Sequence, residues 1–497
     1  MVRNAWISDD AYVTFRTVEN FIAGYGLGYN PFVRVQAYTH PLWLMLISVI
    51  YFIQLKIFGW SSDSGLYFLI MLLSIGVSCA TVWWLLNKVA HSALEAKLFL
   101  AAVVVLSKAF VDYSTSGLEN PLTHLLLALF LWSFLNHTGN FFRLVLIFSL
   151  MTLNRLDTGL LMVPALVYVF ASERKDWKKN LVALVLGLLP LALWEIFSLF
   201  YYGFPFPNTA YAKLNTGIGQ RLLIVQGMDY LLNSLNLDVL TLFVILLAGL
   251  GVFIEREKRA VVTYVGVALY LVYLVSIGGD FMTGRFLAAP FVVSISLISR
   301  FQEFSRPIVF AALLIIAVLG ISSTHSPIFG LISPHVENLQ VLKDENGISD
   351  EKLVYFERSG LVVNGFRDAR GGSRYAGSNW VYSGTQNVIV EGAVGLFGYK
   401  QGPDVHVLDP FALVDPLLAR LPVKDRINWR IGHFEREVPA GYIETLATGQ
   451  MKISDPNLAE YYGKLSFVIT GPLWNWDRIL EIWKFNTGQY DYLLNYN

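Results

Sequence analysis

Long apolar stretches alternate with short polar interruptions over the first two thirds of the chain, and the pattern then stops. Eleven such stretches can be marked, at roughly 43–60, 66–87, 98–111, 118–135, 141–154, 159–172, 181–201, 238–254, 260–277, 284–300 and 307–323. A helix that crosses a bilayer needs about 20 predominantly apolar residues, and fewer where its polar ends line a cavity. Several of these stretches are shorter. A soluble bundle could bury one or two of them, but eleven in series predict a polytopic α-helical membrane protein. Beyond them the apolar runs shorten, and 324–497 reads as a soluble domain of mixed α/β type. Short strands are predicted at Gln386–Val390 and Val405–Leu408, and helices at Asp415–Leu421 and Ile479–Trp483. The predicted organisation is an outer loop at 1–42, a transmembrane domain at 43–323 and a soluble domain at 324–497. The last boundary falls near Ser323–Pro334, where an apolar run ends in Ser, His and Pro.

Composition supports the membrane reading. Hydrophobic residues make up 55% and charged residues 15% of the chain, and the mean hydropathy is +0.51. A soluble protein carries about a quarter charged residues. A disordered chain, a nucleic-acid binder with a basic face and an ordinary cytosolic enzyme are excluded on this ground. The charge is also uneven. Residues 324–497 hold 16 Lys+Arg and 20 Asp+Glu, about half of the total, in a third of the length. Cys79 is the single cysteine, so an intrachain disulfide and a cysteine-based metal site are both ruled out.

Basic runs orient the second half. Arg174-Lys175-Asp176-Trp177-Lys178-Lys179, Glu255–Arg259 and Arg300–Arg306 read as cytoplasmic. Loops 201–237 and 278–285 are then extracytoplasmic, and a span at 307–323 delivers the soluble domain to that outer side. Asp9-Asp10 precede every apolar stretch, so a further span upstream of this sequence is expected to carry residues 1–42 outward. Three stretches separate residues 1–42 from Asp112–Asn120. Both cannot face outward if all three cross, which makes the short stretch 98–111 a candidate re-entrant segment.

The polar clusters sit at span ends. The first is Asp9-Asp10-Ala11-Tyr12-Val13-Thr14-Phe15-Arg16, followed by a helical stretch to about Ala23, a Gly/Asn/Pro loop, and then Arg34 and Tyr38-Thr39-His40-Pro41. Paired carboxylates at a helix start are favoured by the helix dipole alone. At a membrane surface beside Arg16 and His40, a carboxylate can also act as general base toward a hydroxyl, or bind a cation. Four more clusters follow: Ser116-Gly117-Leu118-Glu119-Asn120-Pro121; Asn154-Arg155-Leu156-Asp157-Thr158-Gly159; Tyr201-Tyr202-Gly203 with Pro207-Asn208-Thr209 and Lys213; and Gly278-Gly279-Asp280-Phe281-Met282 with Gly284-Arg285-Phe286. Ionisable residues at membrane depth mark a site or a pathway by default. Arg155, Lys213 and Arg285 together suit a phosphate. The plainer readings are a helix-orienting Arg155–Asp157 pair and snorkelling side chains at Lys213 and Arg285. The soluble domain adds Asp415-Pro416-Leu417-Leu418-Ala419-Arg420 and Gly432-His433-Phe434-Glu435, which alone read as surface loops. No P-loop, nucleophile elbow or Cys/His metal spacing occurs.

In this order the clusters resemble the polyprenyl-phosphate-dependent membrane glycosyltransferases of the GT-C type. The resemblance is to their bacterial arabinofuranosyltransferase branch, whose members act on the mycobacterial cell wall and on the type IV pilin of Pseudomonas. It runs over nearly the whole chain. It departs in two places. The span expected before Asp9-Asp10 is absent from this sequence, and Arg155-Leu156-Asp157-Thr158-Gly159 stands where many relatives have Arg-Pro-Asp-Gly. The resemblance implies transfer of D-arabinofuranose from a polyprenyl phosphate donor to a periplasmic acceptor, either pilin or a cell-envelope glycan. It places the protein in the bacterial inner membrane with its C-terminal domain in the periplasm. It implies inversion at the anomeric carbon, with Asp9 or Asp10 as base. It further implies that Arg155, Lys213, Arg285 and His40 face the donor phosphate, and that Arg16, Glu119, Asn208 and Asp280 contact substrate. No cofactor is assigned and no metal ligands are named; a divalent metal, used by some GT-C enzymes, stays open. The alternative is a transporter or flippase of a polyprenyl-linked sugar, which intramembrane charges would also suit.

Overall fold

A computed structural model describes residues 1–59, 65–136, 140–172, 176–214, 216–301, 314–321, 325–328, 330, 343–365, 382–383 and 385–494. Most of the expected span 307–323 and of the expected boundary at 323–334 lies outside these residues. The chain divides into two compact units, each discontinuous in sequence. One comprises 1–8, 62–191 and 219–369, and the other 9–61, 192–218 and 370–497. The linear boundaries at 42/43 and 323/324 do not coincide with this division.

The first unit is helical. Among the described residues, Gly65–Val89 and Lys258–Ser276 are long and apolar enough to cross a membrane. The helix pairs Trp177–Gly187 with Leu189–Tyr201, and Gln220–Leu237 with Val239–Glu255, reach that length only together, across bends of 43° and 111°. Asn120–Leu135 and Phe141–Asn154 are apolar but shorter, as is Pro41–Lys56 of the second unit. At 1.5 Å per residue a 16-residue helix spans about 24 Å, against about 30 Å of bilayer core. The long helices leave apolar side chains uncovered, with Leu72 72% and Val272 69% exposed. Such faces fit a lipid environment. Helix packing is close where side chains vanish. A Cβ at Gly266 would lie 2.1 Å from the Leu161 carbonyl oxygen, and one at Gly227 would lie 2.3 Å from that of Val275. The helix Lys258–Ser276 therefore meets its neighbours backbone to backbone.

The expected span 98–111 is two helices, Leu94–Leu106 and Lys108–Tyr113. Ser107 is extended between them, and its Oγ accepts a bond from the Phe110 amide at 3.2 Å. A serine cap has replaced continuation of the helix. The second helix then carries charge inward. Lys108 pairs with Asp112 and lies 2.9 Å from Asp350, while Lys352 lies 2.8 Å from Asp112 and 2.6 Å from Asn4 Oδ1. Two ammonium groups thus offset two carboxylates in a buried set. Ser349 extends the contact, its amide donating to the Phe281 carbonyl at 2.8 Å. Residues 343–359, expected in the soluble domain, therefore fold with the helical unit.

The second unit combines helices with a three-stranded sheet in the order β1 (Tyr382–Ser383), β2 (Asn387–Val390), β3 (Val405–Leu408). β1 is antiparallel and β3 parallel to β2. The two strands read from sequence lie where β2 and β3 lie. The expected helix at 479–483 falls within Trp476–Asn486, but 415–421 holds only a 3₁₀ turn at Leu418–Arg420. Its start is held by Asp415, which accepts from the Leu418 amide at 2.8 Å and from Tyr442 Oη at 2.9 Å.

Buried arginines tie the segments of this unit together through carbonyl oxygens. Arg16 donates to the carbonyls of Tyr29 (2.9 Å), Val405 (2.7 Å) and Gly398. Arg436 donates to those of Leu421 (3.0 Å), Ala212 (2.6 Å) and Phe434. Arg478 reaches Val468 (2.7 Å), Phe200 (2.8 Å) and Tyr201 (2.8 Å).

Asp409 is fully buried at the end of β3. Burial pushes its carboxyl up to about 7, although the amides of Phe411, Leu413 and Val414 bond to it and pull the other way. In the unfolded chain an Asp titrates near 3.9. Its folded form therefore holds the proton more tightly, and the stability this adds is present at low pH and lost as pH rises toward 7. Thermal unfolding of the protein in detergent should show the midpoint falling between pH 5 and pH 8, and Asp409→Asn should flatten that slope. An unchanged slope in the variant would remove Asp409 as its source.

Candidate functional site

Glu119, Arg155, Asp280 and Arg285 converge in the first unit. Glu119 sits at the start of the helix Asn120–Leu135, with Pro121 in the first turn, where a missing amide costs nothing. Arg155 occupies an extended break between Phe141–Asn154 and the short turn Leu156–Thr158. Gly278, Gly279 and Gly284 adopt φ of 89°, 72° and 75°. These left-handed turns suit glycine, and they present Asp280 and Arg285. Glu119 Oε1 is 3.4 Å from Arg155 Nη1 and 3.5 Å from Arg285 Nη2. Asp280 Oδ2 is 3.8 Å from Arg285 Nη1.

The two arginines differ. Asp157 holds Arg155 in a fork, at 2.8 Å from Nε and 3.0 Å from Nη2, and Tyr270 Oη donates to the same carboxylate at 3.0 Å. The Arg155 guanidinium also lies 4.1 Å over the Phe286 ring. This is the geometry of a helix-orienting ion pair. The ion-pair contacts of Arg285, at 3.5 and 3.8 Å, are longer, and its Nη1 also lies 3.6 Å from Met282 Sδ.

Asp9, Asp10, Arg16, His40, Asn208 and Lys213 belong to the second unit. Asp9 and Asp10 open the helix Asp9–Ile22. The Asp9 carboxylate accepts from the Gly395 amide at 3.1 Å and the Leu396 amide at 2.9 Å. It thereby supports the start of a second helix, Leu396–Gln401. A Cβ at Gly395 would fall 2.0 Å from the Asp9 carbonyl oxygen, so the approach needs glycine. Asp10 is half-buried. Thr14, four residues on and on the same helix face, bonds to His40 Nε2 at 2.8 Å. Arg16 is taken up by the three carbonyls named above. Asn208 Nδ2 is likewise shared among the carbonyls of Ala412, Leu413 and Asp415. Lys213 is exposed on the last turn of Asn208–Leu214.

Other residues carry weight that the sequence reading did not give them. Tyr270 completes the Asp157 contact. Lys108, Asp112, Asp350 and Lys352 form the buried charge set, and a lysine inside an apolar run was its only sequence signal. Arg420 stacks 4.1 Å over Phe204 and 4.8 Å from Tyr211, beside a narrow cavity that Arg34 and Asn208 also line. Among the described residues, no group of three His, Cys, Asp or Glu side chains is placed to hold a metal ion.

No protein-family model matches the chain, and no solved structure matches it. Two curated relatives do. The chain is 25% identical, over 531 aligned positions, to the terminal beta-(1->2)-arabinofuranosyltransferase of Mycobacterium tuberculosis, an alignment covering 87% of this chain and 81% of that protein. It is 26% identical over 331 positions to the protein of the same name from Corynebacterium glutamicum, covering 57% of this chain and 46% of that one. Over most of its length, then, the chain is similar to a named arabinofuranosyltransferase.

Proposed function

We propose that the chain is an inverting membrane glycosyltransferase that moves D-arabinofuranose from a polyprenyl phosphate to a periplasmic acceptor, a pilin or a cell-envelope glycan. The observation that carries this reading is the similarity to a named arabinofuranosyltransferase over 87% of the chain. Both curated relatives are transferases, which favours transfer over transport. The uncovered apolar helices fit a lipid-linked donor.

The chemistry asks for two things. An acceptor hydroxyl is a poor nucleophile and needs a base as it attacks the anomeric carbon. The departing lipid phosphate gathers negative charge and needs a cation. Asp9 or Asp10 is the base; both oxygens of Asp9 also accept from backbone amides, which gives Asp9 a positioning role in addition. His40, reached through Thr14 on the same helix face, is the candidate donor to the acceptor. Arg285 is the candidate cation for the phosphate, Arg155 holds the helices that frame it, and Lys213 remains a further cationic candidate in its own unit.

Transfer of radiolabel from polyprenyl-phosphoryl arabinofuranose, in membranes containing the full chain, tests the reading. Asp10→Asn should cut transfer by about 10²-fold or more. Asp9→Ala should also lower stability, by about 1 kcal/mol, through the lost amide contacts. Full transfer by both variants would sink the reading. The arginines should separate in the same assay. Arg285→Gln should weaken donor use while the protein stays folded, whereas Arg155→Gln, which strands Asp157, should destabilise by about 3–5 kcal/mol. Equal stability losses in the two would contradict their division of roles.

A further inference from the structure

The helix Trp476–Asn486 has an outer face that nothing in its own unit covers. Trp476, Leu480 and Trp483, spaced i, i+4 and i+7, are 84%, 48% and 57% exposed, and Trp474 just before the helix is 87% exposed. Residues at that spacing share one side of a helix. The opposite side is packed, with Arg478 and Ile482 buried. Tryptophan is costly to leave in water in such number, and contiguous apolar patches of this kind mark an interaction surface.

What the surface meets is indicated by its attachment. Arg478 donates from Nη1 and Nη2 to the carbonyls of Phe200 and Tyr201, each at 2.8 Å. Those are the last residues of Leu189–Tyr201, the second half of a bent apolar pair long enough to cross a membrane. Asn486 Nδ2 holds the Gly203 carbonyl at 2.8 Å, and the Trp474 ring lies 4.7 Å from that of Phe200. Leu193 and Ile196 on the same apolar helix are 62% and 65% exposed, as lipid-facing side chains are. The tryptophan helix is therefore fastened to the point where an apolar helix ends. Tryptophan collects at that level of a bilayer, where its ring is buried and its N–H is wet. Asp477, Arg478, Glu481 and Lys484 leave the helix with no net charge, so attraction to anionic headgroups is not what would hold it.

We propose that the Trp474 turn and the outer face of Trp476–Asn486 lie in the membrane interface. Their partner is the lipid surface itself, without preference for headgroup charge. The extramembrane part of this unit then rests on the bilayer through these side chains.

The test uses the full chain in nanodiscs, with Cys79→Ser and single spin labels at Trp476→Cys, Leu480→Cys, Trp483→Cys and, as a water-exposed control, Asn428→Cys. Oxygen, which concentrates in lipid, should relax the three helix labels more than a water-soluble nickel chelate does. The order should reverse at position 428. The result should be the same in zwitterionic and anionic nanodiscs. A nickel-dominated profile at all three positions overturns the proposal. So does protection from both reagents with spin–spin broadening, which would assign the face to a second copy of the chain. An independent measurement leaves Leu480 and Cys79 intact: brominated lipid should quench less emission from a Trp474→Phe/Trp476→Phe/Trp483→Phe variant than from the unaltered protein. Equal absolute losses of emission would also overturn the proposal.

Discussion

The second unit depends on guanidinium groups that are buried against carbonyl oxygens. Arg16, Arg436 and Arg478 have almost no solvent access, and each donates to three main-chain carbonyls. A charge removed from water is tolerated only when its hydrogen-bonding capacity is filled, and a planar fork of five N–H groups can fill it from several directions at once. Burial lowers the affinity of all three for their protons, to about 10 for Arg436 and Arg478. Arg436 and Arg478 therefore stay charged at neutral pH. A hydrogen bond to a charged group contributes about 1.5–3 kcal/mol. Carbonyls in loops, which a sheet or helix would otherwise have to satisfy, are satisfied here by side chains. This is how a unit with one small sheet and short helices accommodates so much irregular backbone.

Close approach is the second constraint. Gly395 admits Asp9, and Gly398 admits Tyr29, whose Oη would lie 1.8 Å from a Cβ at that position. Tyr29 Oη donates to the Val394 carbonyl at 2.6 Å, and its ring lies under Arg16. The segment 394–398 and the helix Asp9–Ile22 are thus fitted to each other by absent side chains on one partner and polar groups on the other. In the first unit Gly227 and Gly266 do the same between apolar helices.

The sequence made some of this legible. Apolar run length located several of the apolar helices, and short strand-like runs marked where β2 and β3 lie, because those signals are local; the helix Gln220–Leu237 was missed inside a stretch read as the outer loop 201–237. The grouping of Glu119, Asp280 and Arg285 with Arg155 was legible as a list of polar clusters at span ends, though not as distances. What escaped was one local cap and several non-local contacts. The break at Ser107 reads as an apolar run until the serine is seen to cap the next helix. Residues 343–359 have the charge density of a soluble segment, yet Lys352 is drawn into the helical unit by Asp112. The buried role of Arg16 could not be read either, because its partners are carbonyls, which every residue carries and no side-chain pattern reveals.

The reach of Arg16 bears on the order in which the protein can form. Its carbonyl partners at Gly398 and Val405 follow it by 382 and 389 residues. At a synthesis rate of about 5–20 residues per second, these partners emerge roughly 20–80 seconds after the helix that needs them. During that interval the Tyr29 carbonyl is the one of its three carbonyl partners already made, and water must fill the remaining donors. Completion of this unit is therefore coupled to segments made long after the helix, and not to the helix's own synthesis.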